Sequence, residues 1–94
     1  MLFSRSTFAG SGKYTTRTLG DNYSTYDYMS QSITGVMMST IFGIPFTGGD
    51  ICGYYGNTTA ELCTRWHHIG AFYPLSRNHN CIDSVAQEPY EFKD

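Results

Sequence analysis

Residues 44–70 read IPFTGGDICGYYGNTTAELCTRWHHIG, and the predicted fold depends most on this stretch. Its beginning, "IPFTGGD", is typical of a short strand that runs into two glycines, and "ICGYYGN" is typical of a loop. The rest predicts a helix, because Thr58 and Glu61 have the spacing of a capping box and Gly70 ends the apolar pattern. Three apolar residues line one face of this helix: Leu62, Trp66 and Ile69.

The flanking segments repeat this alternation. "LFSRSTF" predicts a strand that ends at the glycine turn "AGSG", and "AFYPLSRNH" predicts a strand followed by a loop. "STYDYMSQSITGVMMSTIFG" predicts a helix that Ser24 or Thr25 caps and that Gly35 can divide into two. Five residues keep its helical spacing: Tyr26, Met29, Ile33, Met37 and Ile41. The order strand, helix, strand, helix, strand favours an α/β fold with parallel strands and helical crossovers.

The length of the chain limits this fold further. A sequence of 94 residues is at most one small domain. Two helices and three strands are only a piece of a parallel sheet, whose faces must be covered by helices. The apolar residues of "MLFS" and "IFGIPF" need partners that this sequence does not supply, and Met1 stands directly before a strand. We therefore expect a segment of a larger barrel or sheet, or a truncated product.

Composition argues against several classes of partner. The formal net charge of −2 gives no reason to expect nucleic acid or an anionic membrane surface. No apolar run is long enough to cross a bilayer, and the N-terminus lacks the basic-then-apolar pattern of a signal peptide. Charged residues make up 15% of the chain and aromatic residues 16%, unlike a disordered chain. The eight tyrosines suit the walls of polar pockets.

The cysteines and two sequons weakly favour a secreted protein. Cys52, Cys63 and Cys81 are an odd number, which allows one disulfide and one spare thiol. Asn22 and Asn57 each begin an N-x-[ST] sequon, but such triplets often arise by chance.

Neither a phosphate loop nor a metal site is predicted. A P-loop that includes "GK" would need glycine where Thr7 stands and a hydroxyl residue where Tyr14 stands, so "AGSG" is interpreted as a turn. Six residues offer metal ligands: Cys52, Cys63, His67, His68, His79 and Cys81. None has C-x-x-C or H-x-x-x-H spacing, so the simpler interpretation is a disulfide with surface or pocket histidines.

Four polar residues stand where predicted strands end. Arg5 ends the first strand, His79 follows the third, and Asp21 and Asp50 each follow a glycine after a strand-and-turn stretch. In a parallel α/β barrel, residues just beyond the strand ends face the active site, so these side chains are expected at one mouth. Taken singly, each has a simpler explanation as a turn cap, a surface ion pair or a solvated loop residue.

The sequence resembles the α-glucosidases of glycoside hydrolase family 31, both the fungal secreted enzymes and the intestinal maltase and sucrase type. The resemblance lies in "SRSTFAGSGKY", "LGDN", "FGIPFTGGDICGYYG", "ELCTRW" and "GAFYPLSRNHN", which occur in the family's order and cover nearly the whole chain. It implies a partial (β/α)₈ barrel, a segment of its C-terminal half that is incomplete on its own. Residues 1–94 would then be a fragment of the catalytic domain.

The resemblance also implies roles for individual residues. The aspartate of "LGDN", Asp21, matches the general acid/base. Five residues match sugar-binding or pocket-wall positions: Arg5, Asp50, Tyr54, Tyr55 and His79. The cysteines of the "ICG" and "ELC" blocks match a disulfide pair, Cys52 with Cys63. No metal or organic cofactor is implied.

Two departures from the family pattern bear on activity. The nucleophile of the family lies in an upstream "WIDMNE"-like block, which these 94 residues do not contain. The family often has "HWLGDN", whereas Arg17 and Thr18 precede "LGDN" here, which removes a pocket aromatic and places a positive charge near the acid.

The resemblance predicts a retaining hydrolase that releases terminal, non-reducing α-1,4-linked glucose from maltose-like oligosaccharides. The partners would be the α-glucoside and the remainder of the barrel, with no nucleic acid or membrane. The isolated chain is expected to be inactive, and the parent enzyme to be secreted, at the cell surface or vacuolar. The alternative hypothesis is a non-catalytic remnant that binds sugar weakly or associates with another chain.

Overall fold

The computed structural model describes residues 1–93, which form short parallel strands and two helices. The strands are β1 (Phe3–Ser4), β2 (Thr16–Thr18), β3 (Thr47–Gly48), β4 (Asp50–Ile51) and β5 (Arg77–Asn78). The helices are α1 (Tyr26–Ile41) and α2 (Ala60–Gly70), and 3₁₀ turns lie at Ser11–Lys13 and Pro89–Glu91. Helix α1 connects β2 to β3 and α2 connects β4 to β5, so the predicted α/β crossovers are confirmed.

The strands are hydrogen-bonded in chain order. Strand β2 lies between β1 and β3, strand β4 pairs with β5, and each of these pairings is parallel. Since only Gly49 separates β3 from β4, the two small sheets share one extended stretch of backbone. The carboxyl ends of the strands therefore lie along one edge, which places the loops that follow them side by side.

Two features of the first half differ from the prediction. Strand β2 was not expected, although Thr16 and Thr18 are β-branched residues that favour strands. Helix α1 is continuous, so the prediction that Gly35 divides it is wrong. A side chain at Gly35 would come within 2.8 Å of Leu19, so this glycine lets the helix pack closely against the residue that follows β2. Thr25 caps α1, as predicted.

The core lies between α2 and β4. Trp66 is fully buried among Ile51, Leu62 and Tyr73, and the predicted Cys52–Cys63 disulfide is present beside it; Cys81 is free. Thr59, one residue later than predicted, caps α2 by accepting a hydrogen bond from the backbone N–H of Leu62 at 3.2 Å. The disulfide thus joins the strand to the first turn of the helix that packs on it.

Helix α1 exposes most of its predicted apolar stripe. Three residues of this stripe are exposed: Ile33, Met37 and Ile41. The buried residues of the helix are two serines, Ser32 and Ser39. Ser39 accepts a hydrogen bond from Arg17 Nη1 and donates one to the Gly35 carbonyl, so the buried face is satisfied by polar contacts. Within residues 1–93, neither helix has the length and apolar character that a membrane span requires.

Gly48 is expected to be far less tolerant of alanine than its neighbour Gly49. A Cβ atom at position 48 would lie 1.8 Å from the backbone oxygen of Leu75, whereas one at position 49 would meet its nearest atom at 3.6 Å. Gly48→Ala should destabilise the domain by about 1–3 kcal/mol or more, because backbone must shift. Thermal unfolding of the protein that carries each substitution measures the difference, and equal melting temperatures for the two variants would contradict this packing.

Candidate functional site

The four polar residues predicted to converge lie at the carboxyl edge of the strands. Arg5 directly follows β1, and Asp21 stands three residues after β2. Asp50 follows β3 after Gly49 and is the first residue of β4, and His79 directly follows β5. Segments that are distant in sequence thus contribute one polar side chain each to the same edge, which is where parallel α/β folds bind their ligands.

Arg5 and Asp21 form an ion pair. Arg5 Nη1 lies 3.4 Å from Asp21 Oδ2, and both side chains remain accessible to solvent. Gly20 makes this pair possible, because a Cβ atom there would lie 2.7 Å from Arg5 Nε and its backbone has a left-handed φ of +89°. The glycine of "LGDN" therefore gives the guanidinium room to lie against the loop that carries the acid.

Asp50 is the most buried charged group of the site. Its side chain is 2% exposed, and Oδ1 accepts a 3.0 Å hydrogen bond from Nη2 of Arg77, whose side chain is 44% exposed. Burial raises the pKa of Asp50; the Arg77 hydrogen bond and charge oppose this, His79 also lowers it, and Asp21 adds a small increase. Because charges on Asp21 and His79 reach Asp50, these three groups act in one electrostatic environment.

Within residues 1–93, the second carboxylate oxygen of Asp50 has no hydrogen-bond partner. Oδ2 is buried and accepts no hydrogen bond from residues 1–93. Buried carboxylate oxygens are normally satisfied, since an unmatched one costs about 1–3 kcal/mol or more. An O–H or N–H donor supplied from outside this segment would complete the site.

Asn22 ties the Asp21 loop to the Asp50 strand. Its side-chain amide donates to the Asp50 carbonyl and accepts from the Tyr54 N–H, each at 3.0 Å. Its own carbonyl accepts from the N–H groups of Tyr54 and Tyr55. The Asn22 amide is thus buried and paired, whereas the other sequon asparagine, Asn57, is exposed.

Gln87 is a structural residue of the site that the sequence did not indicate. Its side chain is buried, and Nε2 lies within 3.3 Å of the carbonyl oxygens of Ile51, Gly53 and His79 and of Asn78 Oδ1. An amide nitrogen has only two protons, so it is shared among these acceptors. Gln87 therefore holds the loops after β4 and β5 together and fixes the backbone at His79.

Tyr54 lies against His79. The centroids of the two rings are 5.1 Å apart, and the Cys81 N–H donates to the Tyr54 carbonyl at 2.9 Å. The pKa of the Tyr54 hydroxyl is raised, first by the neighbouring Cys81 thiol group and then by burial and by the charge of Asp21. Tyr54 presents a hydroxyl as well as an apolar ring face.

Comparison with known families shows to which family the chain belongs. The whole chain, residues 1–94, matches the profile described as the glycosyl hydrolases family 31 TIM-barrel domain. The chain belongs to glycosyl hydrolase family 31. The predicted resemblance to this family is therefore confirmed.

The relatives of this family 31 chain are much longer proteins. It is 52% identical over 93 residues to the lysosomal acid alpha-glucosidase of Tetrahymena pyriformis. The matched region covers 99% of this chain and 10% of that protein. It superimposes on a structure of the ER glucosidase II heterodimeric complex with a TM-score of 0.91 and 40% identity, over 95% of this chain and 10% of that one. A family 31 alpha-glucosidase from Bacteroides thetaiotaomicron gives a TM-score of 0.87 and 36% identity, over 94% and 15%. The chain thus spans about a tenth of the relatives first matched.

One prediction about this family 31 site is wrong. Arg17 was expected to place its charge near the acid, but its guanidinium points to α1, where Nη1 donates to Ser39 Oγ at 3.2 Å. Arg5, from β1, is the cation that pairs with Asp21. The reason is strand alternation: Arg17 lies within β2, and its side chain leaves the sheet towards the helix.

Three of the six candidate metal ligands lie close together within residues 1–93. Cys52, Cys63 and His67 have ligand atoms within 4.8 Å of one another. Both sulfurs belong to the disulfide, however, and a metal requires thiolates. His67 Nδ1 lies 2.9 Å from the Cys63 carbonyl oxygen, to which it donates its proton, so this cluster is a structural contact of α2.

Proposed function

We propose that this segment supplies the general acid/base and most of the terminal-sugar contacts of a retaining α-glucosidase whose polypeptide is longer than these 94 residues. The observation that carries the proposal is the convergence of Arg5, Asp21, Asp50 and His79 at one strand edge of a family 31 barrel domain. Relatives named as alpha-glucosidases support the chemistry.

In this proposal each residue type has a chemical task. Asp21 is partly exposed and donates a proton to the oxygen that leaves, then removes one from water. Asp50 Oδ2 accepts hydrogen bonds from sugar hydroxyls, which gives this buried oxygen the donors that residues 1–93 do not supply. Arg5 and His79 provide further hydrogen-bonding groups, and Tyr54 provides a wall against which the sugar ring packs.

The nucleophile comes from another part of the parent polypeptide. A retaining glycosidase needs a second carboxyl group about 5–5.5 Å from the acid/base. Asp50 is unsuited to this role, because Arg77 holds one of its oxygens and burial favours its protonated form. The segment is therefore expected to bind and orient sugar but not to complete double displacement alone.

We also propose that the segment is part of a (β/α)₈ barrel and belongs to its C-terminal half. Parallel strands in chain order with helical crossovers support this, as do the apolar surfaces left open. A groove of about 490 Å³ lies between α1 and α2, lined mainly by Ile33, Val36, Met37, Ile69, Phe72 and Tyr73. The remainder of the parent protein is the natural partner for this groove, since exposed patches of this kind are uncommon on monomers.

The proposed substrate is the terminal, non-reducing α-1,4-linked glucose of maltose-like oligosaccharides, and no metal or organic cofactor is required. The proposed location of the parent enzyme is the secretory pathway, vacuole, cell surface or medium. Relatives named as lysosomal and ER glucosidases support this location, as does the Cys52–Cys63 disulfide, which persists in oxidising compartments.

The parent protein is expected to convert maltose to glucose with retention, whereas the isolated 94-residue chain should give no turnover. Proton NMR during hydrolysis shows which anomer of glucose is released first, before mutarotation mixes the two anomers. Release of β-glucose, or turnover by the isolated chain that Asp21→Asn abolishes, would contradict the proposal.

The alternative is a sugar-binding or assembly segment without catalysis. The open groove between α1 and α2 favours association with another polypeptide. Calorimetry with maltose or an iminosugar separates the two functions: binding by the parent protein without hydrolysis supports the alternative, and hydrolysis excludes it.

A further inference from the structure

Cys52 has an unusual backbone conformation for a residue with a side chain. Its φ is +74°, and within residues 1–93 every other residue with a positive φ is a glycine. This left-handed region crowds Cβ against the neighbouring carbonyl oxygen, so residues other than glycine rarely adopt it. Such conformations persist only where surrounding contacts enforce them, and they cluster at functional sites. Contacts around Cys52 must therefore hold it in this conformation.

A covalent bond anchors the side chain of Cys52. Its partner, Cys63, stands in the first turn of α2 and is fully buried in the core. His67 Nδ1 lies 3.5 Å from Cys52 Sγ and 3.6 Å from Cys63 Sγ, so the helix contacts both sulfurs. Glycine, the usual residue for this backbone, has no side chain that could form such a bond. Position 52 thus combines a left-handed backbone with a side chain that ties it to α2.

Cys52 lies in the tight turn that begins at Asp50. The Gly53 N–H donates to the Asp50 carbonyl at 3.2 Å, which makes Cys52 the third residue of a four-residue turn. A positive φ at that position of a turn normally requires glycine or asparagine. Tyr54 follows the turn directly, and its N–H donates to Asn22 Oδ1 at 3.0 Å. The backbone of Cys52 therefore sets the orientation of Asp50 relative to Tyr54.

Hydrogen bonds alone are a weak restraint on this turn. A negative φ at Cys52 requires the peptide between Ile51 and Cys52 to flip, as between type II and type I turns, which moves the Ile51 carbonyl away from Gln87. Gln87 Nε2 lies within 3.3 Å of four acceptor oxygens but has two protons, so it stays satisfied without that carbonyl. The disulfide is therefore the contact that holds the turn left-handed.

We propose that the Cys52–Cys63 disulfide is a positioning element of the terminal-sugar site, which keeps Cys52 left-handed and thereby holds Asp50 and Tyr54 in the arrangement that binds sugar. This role rests on the proposed function and adds to it two residues that act through the binding groups. If the relaxed turn binds sugar poorly, the apparent Kd rises in inverse proportion to the fraction of molecules with the left-handed turn. Because bound sugar selects that turn, KM should change much more than kcat.

Two double variants of the parent protein, both without the disulfide, test this role. Residue 52 keeps a Cβ atom in Cys52→Ala/Cys63→Ala, which disfavours the left-handed turn, and loses it in Cys52→Gly/Cys63→Ala. The alanine variant is expected to raise KM for maltose about 5- to 30-fold, which is the penalty of a left-handed residue expressed as an affinity. The glycine variant should keep KM within about threefold of the unmodified protein, since glycine adopts either sign of φ. Steady-state kinetics below the melting temperature of each variant measure KM and kcat.

Ala71→Gly, added to the alanine double variant, is the matched control. It introduces a glycine at an exposed position with an ordinary φ of −62°, so it should not restore KM. A disulfide that only stabilises the fold would lower the melting temperature of both double variants and leave both KM values unchanged.

Four results would overturn the positioning role: unchanged KM in both double variants, an equal rise in both, a higher KM with glycine than with alanine, or failure of both to fold. If only the alanine variant fails to fold, a near-native KM of the glycine variant supports the role and a raised KM overturns it. Failure of the unmodified parent protein to hydrolyse maltose overturns the proposed function instead.

Discussion

Asp21→Asn in the parent protein is expected to lower kcat/KM for maltose by about 10²–10⁴-fold, the usual contribution of a general acid. Asparagine keeps the size of the side chain but cannot donate a proton to the leaving oxygen. Fluoride needs little protonation to leave, so kcat/KM for α-glucosyl fluoride should fall far less. Steady-state kinetics with both substrates measure the difference.

Azide provides an independent check on the same variant. The second half of a retaining reaction needs a general base to activate water, and azide attacks without one. With α-glucosyl fluoride, whose leaving group does not need the acid, azide should therefore restore turnover of Asp21→Asn and yield α-glucosyl azide, with no such effect on the unmodified protein. Asp83→Asn, in an exposed acid of the C-terminal tail, is the control and should behave like the unmodified protein. Equal losses on both substrates without azide rescue would remove Asp21 from the acid/base role.

The features predicted best are those that local rules determine. The position of α2 was predicted from its helical spacing and from the glycine at its end. Its predicted cap, Thr58, was wrong by one residue, because Thr58 and Thr59 are both suited to this position. The parallel order followed from the alternation of elements. The convergence of Asp21, Asp50 and His79 followed in turn from that order, since parallel strands end along one edge.

The features that were missed depend on contacts between distant segments. Gln87 lies in a polar, irregular tail, and only the folded chain brings its amide to Ile51 and Gly53. Arg77 stands in the "SRNHN" block, where no local pattern reveals that it pairs with Asp50. The stripe of α1 has the right spacing for a core, but Ile33, Met37 and Ile41 are exposed. A helical period does not show which face of a helix another element covers.

Arg77→Met is expected to raise KM for maltose about 10- to 30-fold with a smaller effect on kcat, because Arg77 acts through Asp50. Truncating one partner of a buried ion pair costs about 2–5 kcal/mol, and the partial exposure of Arg77 favours the low end. Arg77→Lys keeps the charge but not the planar group of donors, so it should recover part of the loss. A double variant, Asp50→Asn with Arg77→Met, removes the unpaired carboxylate and should be more stable than Arg77→Met alone.

The pH dependence of Arg77→Met separates this positioning role from a structural one. Burial already raises the pKa of Asp50 in the folded protein, and loss of Arg77 raises it further, with His79 and Asp21 still facing the group. Sugar binding needs the carboxylate, so it is present above the folded pKa and lost as pH falls; in the variant this loss begins at higher pH. Stability has the opposite sign, because the folded state binds the proton more tightly than the unfolded state. The stability deficit of Arg77→Met relative to the unmodified protein should therefore be largest at neutral pH and shrink on acidification. Parallel KM and melting-temperature profiles against pH measure both trends, and a pH-independent deficit would show that Arg77 does not act through Asp50.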